Sequence, residues 1–318
     1  ITITFFQACL ATLLVDAALL ACSFPAPLSL TLGAIAAATA PAATLMVVRQ
    51  YHAKGEVTST LLPVVAMDDA VGLMLFSISL PISQALASNA TLTVTSMLLQ
   101  PLLEIVLSLA VGAGIGLLIA LAMRFFHSMV NRISVAVAAV LLGSALASIW
   151  NLSSLLLCMA IGAVLVNLRN DADELLEITD AWTPPLFMLF FVLSGAELDL
   201  AVVPTVGLLG VVYMVARSLG KYFGSFLGAT IAKSSPNIRK YLGLTLLPQA
   251  GVAIGMAQVA LNALPEYGTQ IQAVVLTATL IYELIGPVIT KLALTAAGEI
   301  QDSKKSKAKT EQSAGGAK

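Results

Sequence analysis

Apolar residues along this chain come in long runs, separated by short polar or proline-containing stretches. A membrane-spanning helix needs about 20 mostly apolar residues. That window predicts ten spans, over roughly 1–22, 28–48, 57–80, 96–123, 132–149, 152–168, 182–198, 202–231, 237–263 and 269–297. The separators include "SFPAP", "RQYHAKGE", "SQALASNAT", "NDADELLEITDAWTPP" and "NALPEYGT", rich in the residues that punctuate helices. From residue 299 to 318 the chain turns polar and Gly/Ser/Lys-rich, which predicts a disordered tail.

Charge placement tests this partition, because short cytoplasmic loops collect Lys and Arg. With ten alternating spans, one set of loops holds Arg49, Lys54, Arg124, Arg132, Arg169, Lys233, Arg239 and Lys240, and the tail lysines join Lys291 on that side. The opposite loops hold neither Lys nor Arg. This parity predicts a multi-pass protein of the cell membrane with a cytoplasmic C-terminus.

Composition agrees: 58% of residues are hydrophobic, 10% are charged, and the mean hydropathy is +0.95. A soluble domain carries about 25% charged residues. No basic stretch beyond the short "KKSKAK" suggests nucleic acid. Cys9, Cys22 and Cys158 are too few and too scattered for a disulfide framework or a metal site, and read as small core residues. The chain is apolar from Ile1, without the charged start or cleavage pattern of a signal peptide, so the expectation is an N-terminal truncation. His52 and His127 fall in cytoplasmic loops and read as solvated residues.

Ionisable residues at membrane depth are expensive and point to function. Here they are Asp16, Asp68, Asp69, Glu104, Arg217, Lys221 and Glu283. Asp68 and Asp69 stand together in "LLPVVAMDDAVGLMLFSI", and Arg217 is expected at the same depth. Successive helical side chains point about 100° apart. One Asp can therefore face a cation while the other faces a cavity. A buried carboxyl holds its proton more tightly and a nearby cation loosens it, so such a site can exchange H⁺ for a small monovalent cation. A purely structural ion pair is the alternative, but it leaves the second acid without a purpose. Glu104, nearer its helix end, reads as snorkelling to the interface.

Two spans are interrupted in matching ways. "AAATAPAATL" places Pro41 mid-span between Thr39 and Thr44, and "LTLLPQAGVAIG" places Pro248, Gln249 and Gly251 mid-span. Proline removes an intrahelical hydrogen bond. Paired discontinuous helices are the best sequence pointer to a transporter binding site. Their exposed half-helix ends carry partial charges that Asp68 and Arg217 could compensate.

These stretches, with "ARSLGKYFGSFLGA" and "YELIGPVITKLAL", resemble the cation:proton antiporter superfamily over essentially the whole chain before the tail. The likeness is nearest to sodium/proton antiporters with a paired-Asp motif, on the branch that also holds Kef-type potassium transporters. It implies an all-α polytopic fold, an inverted five-helix repeat with two crossed discontinuous helices, and an architecture of core and dimerisation domains, hence a homodimer in lipid. The antiporter domain would be 1–298, its core drawn from 1–80 and 182–297 and its interface helices partly from 96–168. Further helices before Ile1 would belong mostly to the dimer interface.

The resemblance implies Asp69 as the shared ion and proton ligand, Asp68 as the preceding acid, Arg217 as its basic partner, and Thr39, Ala40 and Pro41 as the site lining. Ala40 stands where relatives often have Ser, and Gln249 follows Pro248 where many have Lys, which leaves the choice of ion open. No cofactor is implied beyond the transported Na⁺ (or Li⁺ or K⁺) and H⁺. Inverted symmetry would set Asp16 against the Arg217 region and Glu283 against the Asp pair; Asp16 then either pairs with Lys221 or simply lines a wet vestibule. Lys221 lies one turn from Arg217. If Arg217 stays charged, as Arg normally does, one-for-one exchange is electroneutral, and Lys221 could carry a further proton.

A K⁺/H⁺ antiporter is the nearest rival reading. A sodium-coupled symporter for an organic anion would need more polar groups than this core offers. An intramembrane aspartyl protease needs its acids on different helices, so an enzyme is not expected. A purely structural or receptor role does not explain the charges at mid-depth.

Overall fold

The structure, a computed structural model, describes residues 1–88, 99–126, 128–169 and 207–300, together with Glu174 and residues 185–186, 188–189 and 192–193. Most of the span expected over 182–198, His127 and the chain beyond residue 300 lie outside the described residues. Every regular element described is helical: α1 Thr2–Ala21, α2 Ala26–Ala36, α3 Pro41–Gln50, α4 Glu56–Ala87, α5 Gln100–Ala122, α6 Met129–Trp150 and α7 Ser154–Leu168. After these come α8 Gly207–Ile231, α9 Pro236–Tyr241 running into a 3₁₀ turn at Leu242–Leu246, α10 Gly251–Ala263 and α11 Gly268–Ala296. Among the described residues five helices are long and apolar enough to cross a membrane, and α9 with α10 forms a further span bent by 49°. The fold is all-α and multi-pass.

The two interrupted spans are where the sequence placed them. The run 28–48 is two helices, α2 and α3, separated by residues 37–40, with Pro41 as the first residue of α3. Proline suits that position, because its missing N–H would be unpaired there anyway. The run 237–263 is broken by Leu247, Pro248, Gln249 and Ala250 before α10 starts at Gly251.

The chain divides into two compact units: residues 1–75 with 200–318, and residues 76–199; the division falls inside α4. In the first unit α1 and α8 meet along a seam of small residues. Glycine is required there: a Cβ on Gly224 would lie 2.6 Å from Gln7 Cα, and one on Gly228 would lie 2.8 Å from Ile3 Cα, with Gly220 against Ala11 in the same register. This Gly-x₃-Gly-x₃-Gly spacing on one face lets two backbones approach closely in a membrane, where van der Waals packing holds helices together. Where this seam reaches Ile3 and Ala229, an apolar cluster joins them to Val57 and Leu61 of α4 and to Leu242, Leu246, Leu294 and Ile300.

That cluster corrects the expected tail boundary. Glu299 is 9% exposed. Its carboxylate accepts from Val57 N–H at 2.6 Å, Thr58 N–H at 2.8 Å and the Thr58 hydroxyl at 2.7 Å, and its own carbonyl accepts from Lys54 N–H at 3.1 Å. The first N–H groups of a helix have no partner within it, and Glu299 supplies them for α4. A Cβ on Gly55 would fall on the Glu299 side chain. Glu299 and Ile300 thus belong to the packed body and not to a tail starting at 299.

In the second unit α5 lies against α7 through Gly112 and Gly116: a Cβ on Gly116 would lie 2.8 Å from the Ile161 carbonyl. Its core is the apolar set around Ile115, Ile119, Met123, Leu157, Ile161 and Leu165. Glu104 sits in the first turns of α5, half-buried. Arg132 of α6 pairs with Glu174.

Candidate ion site at the crossing of two broken helices

The breaks at 37–40 and 247–250 meet within the first unit. Ala40 N–H donates to the Pro248 carbonyl at 2.9 Å, joining one break directly to the other. Thr39 Oγ1 donates to the Leu246 carbonyl at 3.4 Å, and Thr44 Oγ1 to the Thr245 carbonyl at 3.1 Å. A broken helix in a membrane frees carbonyls that must find partners inside the protein. Here the carbonyls of Ile35, Ala36, Ala37, Ala38, Leu246, Leu247 and Pro248 can each be followed to a donor.

Arg217 takes three of them. Its Nε donates to the Ala36 carbonyl at 3.1 Å, one terminal nitrogen to Leu247 at 2.7 Å and the other to Ala38 at 2.7 Å. The guanidinium also lies over the Tyr282 ring, 4.5 Å from its centroid, and the Tyr282 hydroxyl is held by the Met214 carbonyl at 2.7 Å. Gln249 takes a fourth: its amide donates to the Ile35 carbonyl at 3.2 Å and to Tyr213 Oη at 2.8 Å. Arg217, Tyr213 and Gln249 are all fully buried or nearly so. A cation at the C-terminal ends of α2 and of the Leu242–Leu246 turn also meets the negative ends of their dipoles.

This arrangement corrects the expected Asp68–Arg217 pair. The partner of Asp68 is Lys221, whose Nζ lies 2.9 Å from Asp68 Oδ2, both side chains being fully buried. Lys221 also donates to Thr39 Oγ1 at 2.8 Å and to the Ala37 carbonyl. The physical reason is donor geometry. Arg offers a rigid fork of N–H groups suited to several fixed carbonyls, whereas Lys is a point charge on a flexible stem. The fork spans the two breaks, and the point charge is left for the carboxylate.

Asp68 has a second donor, one not foreseen among the ionisable residues. Gln7 of α1, fully buried, donates its amide to Asp68 Oδ1. Both oxygens of Asp68 are thus bonded, by two different helices. Asp69 contrasts with it. It is half-buried, and its Oδ1 is shielded from solvent with no hydrogen-bond partner. The 100° offset between neighbours places one acid inward and fully bonded, and the other at the edge with a free oxygen. Thr39, expected to line the site, is 2% exposed, and its hydroxyl is engaged by Lys221 and Leu246.

Asp16 does not pair with Lys221. Gly220, Gly224 and Gly228 lie against Ala11, Gln7 and Ile3, and continuing that antiparallel register sets Asp16 level with Val215, not Lys221. Its carboxylate faces Gly33 of α2, where a Cβ would collide with it, and its Oδ1 has no hydrogen-bond partner. Glu283 of α11 stands beside Tyr282, which faces Arg217, and is not part of the bonded cluster described here. Besides Gln7, the sequence reading missed Tyr213 and Tyr282; their only signal was an aromatic ring within one turn of a buried charge.

A family model described as "Sodium/hydrogen exchanger, transmembrane" matches residues 1–296. No curated protein matches the chain. Among solved structures, the sodium proton antiporter MjNhaP1 from Methanocaldococcus jannaschii at pH 8 is similar with a TM-score of 0.67 and 21% identity, over 92% of this chain and 79% of that one. At that identity the likeness is one of fold.

Proposed function

The chain belongs to the sodium/hydrogen exchanger family, and from that premise we propose that it exchanges a monovalent cation, Na⁺ or Li⁺, for H⁺ across the membrane by alternating access, with Asp69 as the shared site. The observation that carries this reading is the unpartnered, solvent-shielded Oδ1 of Asp69 beside a fully bonded Asp68 at the crossing of two broken helices.

In this reading Asp69 binds the cation in one state and the proton in the other. Backbone carbonyls at the breaks supply further oxygens, and Thr39 does so when Lys221 withdraws. Arg217 keeps its charge and ties α2 to the Leu242–Leu246 turn throughout. The Asp68–Lys221 pair sits next to the site, so a cation at Asp69 weakens the hold on the Lys221 ammonium. Exchange is electroneutral if Lys221 keeps its proton, and electrogenic if that proton is released with each cation bound. The assembly is a homodimer with its C-terminus in the cytoplasm, which size determination in lipid nanodiscs and accessibility labelling of the tail would check.

The test is ΔpH-driven exchange in proteoliposomes with Na⁺, Li⁺ and K⁺ supplied in turn. The reading expects exchange with Na⁺ or Li⁺ and none in Asp69→Asn. Full exchange by Asp69→Asn, or no response of the unaltered protein to any of the three cations, overturns it. Exchange with K⁺ alone replaces the cation and leaves the site in place.

A further inference from the structure

We propose that Gln7 is a positioning residue for the exchange: it holds Asp68 as a carboxylate aimed at Lys221, so that Asp69 alone takes up and releases the proton. This rests on the exchange reading above. Three observations carry it. Gln7 is fully buried in an apolar helix, where burying an amide is costly, and its nitrogen is bonded while its Oε1 has no hydrogen-bond partner. Its amide is spent on Asp68 Oδ1 while Lys221 takes Oδ2, so the two donors divide one carboxylate. The third is the glycine seam. Gly224 lies directly against Gln7 Cα, and Gly220, the neighbour of Lys221, lies against Ala11. Close approach of α1 and α8 therefore presents both donors together to α4.

The chemistry of the two donors differs. Lys221 can change its charge or swing to the Thr39 hydroxyl and the Ala37 carbonyl, which it already contacts. A glutamine amide cannot titrate, and its donation favours the carboxylate over the neutral acid. Gln7 thus keeps Asp68 in place and ionised when Lys221 moves. The charged groups interacting here are Asp68, Asp69, Lys221 and Arg217; Arg217 is committed to the break carbonyls, and Tyr282 of α11 stacks on it. Thr39 and Gln249, from the two breaks, do not titrate, and Asp16 of α1 lies about two and a half turns from Gln7, against Gly33.

The test uses Gln7→Met, which keeps length and volume but removes the donor. Exchange in proteoliposomes is recorded across pH with Na⁺ or Li⁺, alone and combined with Asp68→Asn. Without the donor, the Asp68 carboxylate keeps Lys221 as its one remaining partner of the two. The acid limb of the exchange curve should move to higher pH by about one unit, about tenfold in proton concentration. Combined with Asp68→Asn, Gln7→Met should add no further shift, because Gln7 acts through that carboxylate. A Gln7→Met curve that overlies the unaltered one with only a lower maximum overturns the proposal, as does an equal shift in the Asp68→Asn background. If Asp68→Asn abolishes exchange, the same comparison is made on the pH dependence of thermal unfolding in detergent. That readout needs no transport. Failure of the unaltered protein to exchange any cation counts against the exchange reading, and the unfolding curves then still decide whether Gln7 acts on Asp68.

Discussion

Within each of the two units helices pack closely through glycines, but what the packing buries differs. In residues 76–199, glycines of α5 let α7 approach, and what the approach buries is an apolar core around Ile115, Leu157 and Ile161. In the other unit, glycines of α8 let α1 approach, and what the approach buries is Gln7, Lys221 and, through them, Asp68. Close helix packing is therefore not the mark of the site. The difference lies in the breaks at 37–40 and 247–250, whose freed carbonyls need cationic and amide donors at mid-helix. Once Arg217 and Lys221 are there, a carboxylate can be buried beside them. A uniform helix bundle has no comparable place to put a charge.

Substitutions can break this comparison, and the largest effect is expected at the buried pair. Lys221→Met leaves the Asp68 carboxylate buried with one neutral donor, and stranding one member of a buried pair costs about 3–5 kcal/mol. The melting temperature in detergent should fall sharply, and adding Asp68→Asn should restore much of it. A Lys221→Met protein as stable as the unaltered one would show that the pair contributes nothing. The glycine seams come next. Gly224→Leu and Gly116→Leu both force side chains into backbone, and overpacking costs about 1–3 kcal/mol or more. Exchange should be lost with Gly224→Leu at temperatures where the protein is still folded, whereas Gly116→Leu should lower stability with exchange proportional to folded protein. Equal loss of specific activity in both variants would erase the distinction between the units. The smallest effect is at the cap. Replacing Glu299 by Ala removes the acceptors for the first turn of α4, and loss of a helix cap costs about 1 kcal/mol. A drop of a few degrees in melting temperature is expected, and an unchanged value would show that Glu299 is not holding α4.

Much of this was legible in the sequence, and what was not has identifiable causes. The broken helices could be read because proline amid small residues has few other uses in an apolar run. The acidic pair and the two cations could be read because charges are rare at that depth. Which cation serves Asp68 could not be read: Arg217 and Lys221 lie one turn apart on one face, and only the positions of the break carbonyls show that the guanidinium is committed elsewhere. Gln7 was hidden because a neutral amide in an apolar helix raises no alarm by itself. Its signal was the Gly-x₃-Gly-x₃-Gly run in "GKYFGSFLGA", which marks a close partner but not which helix. The Asp16–Lys221 expectation failed because internal symmetry was used to set heights, whereas the actual height follows from the antiparallel register of α1 and α8. Glu299 looked like the start of a polar tail because its partners, the N–H groups of Val57 and Thr58, lie 242 and 241 residues away.

The central claim is a division of labour between adjacent acids: Asp68 holds and Asp69 carries. Proton release on cation addition tests it most directly, measured with a pH indicator on the purified protein in weakly buffered detergent solution. Adding Na⁺ or Li⁺ should release protons from the unaltered protein and from Asp68→Asn, with weaker apparent affinity in the latter, and none from Asp69→Asn. Release that survives Asp69→Asn and disappears in Asp68→Asn would reverse the assignment and contradict the account.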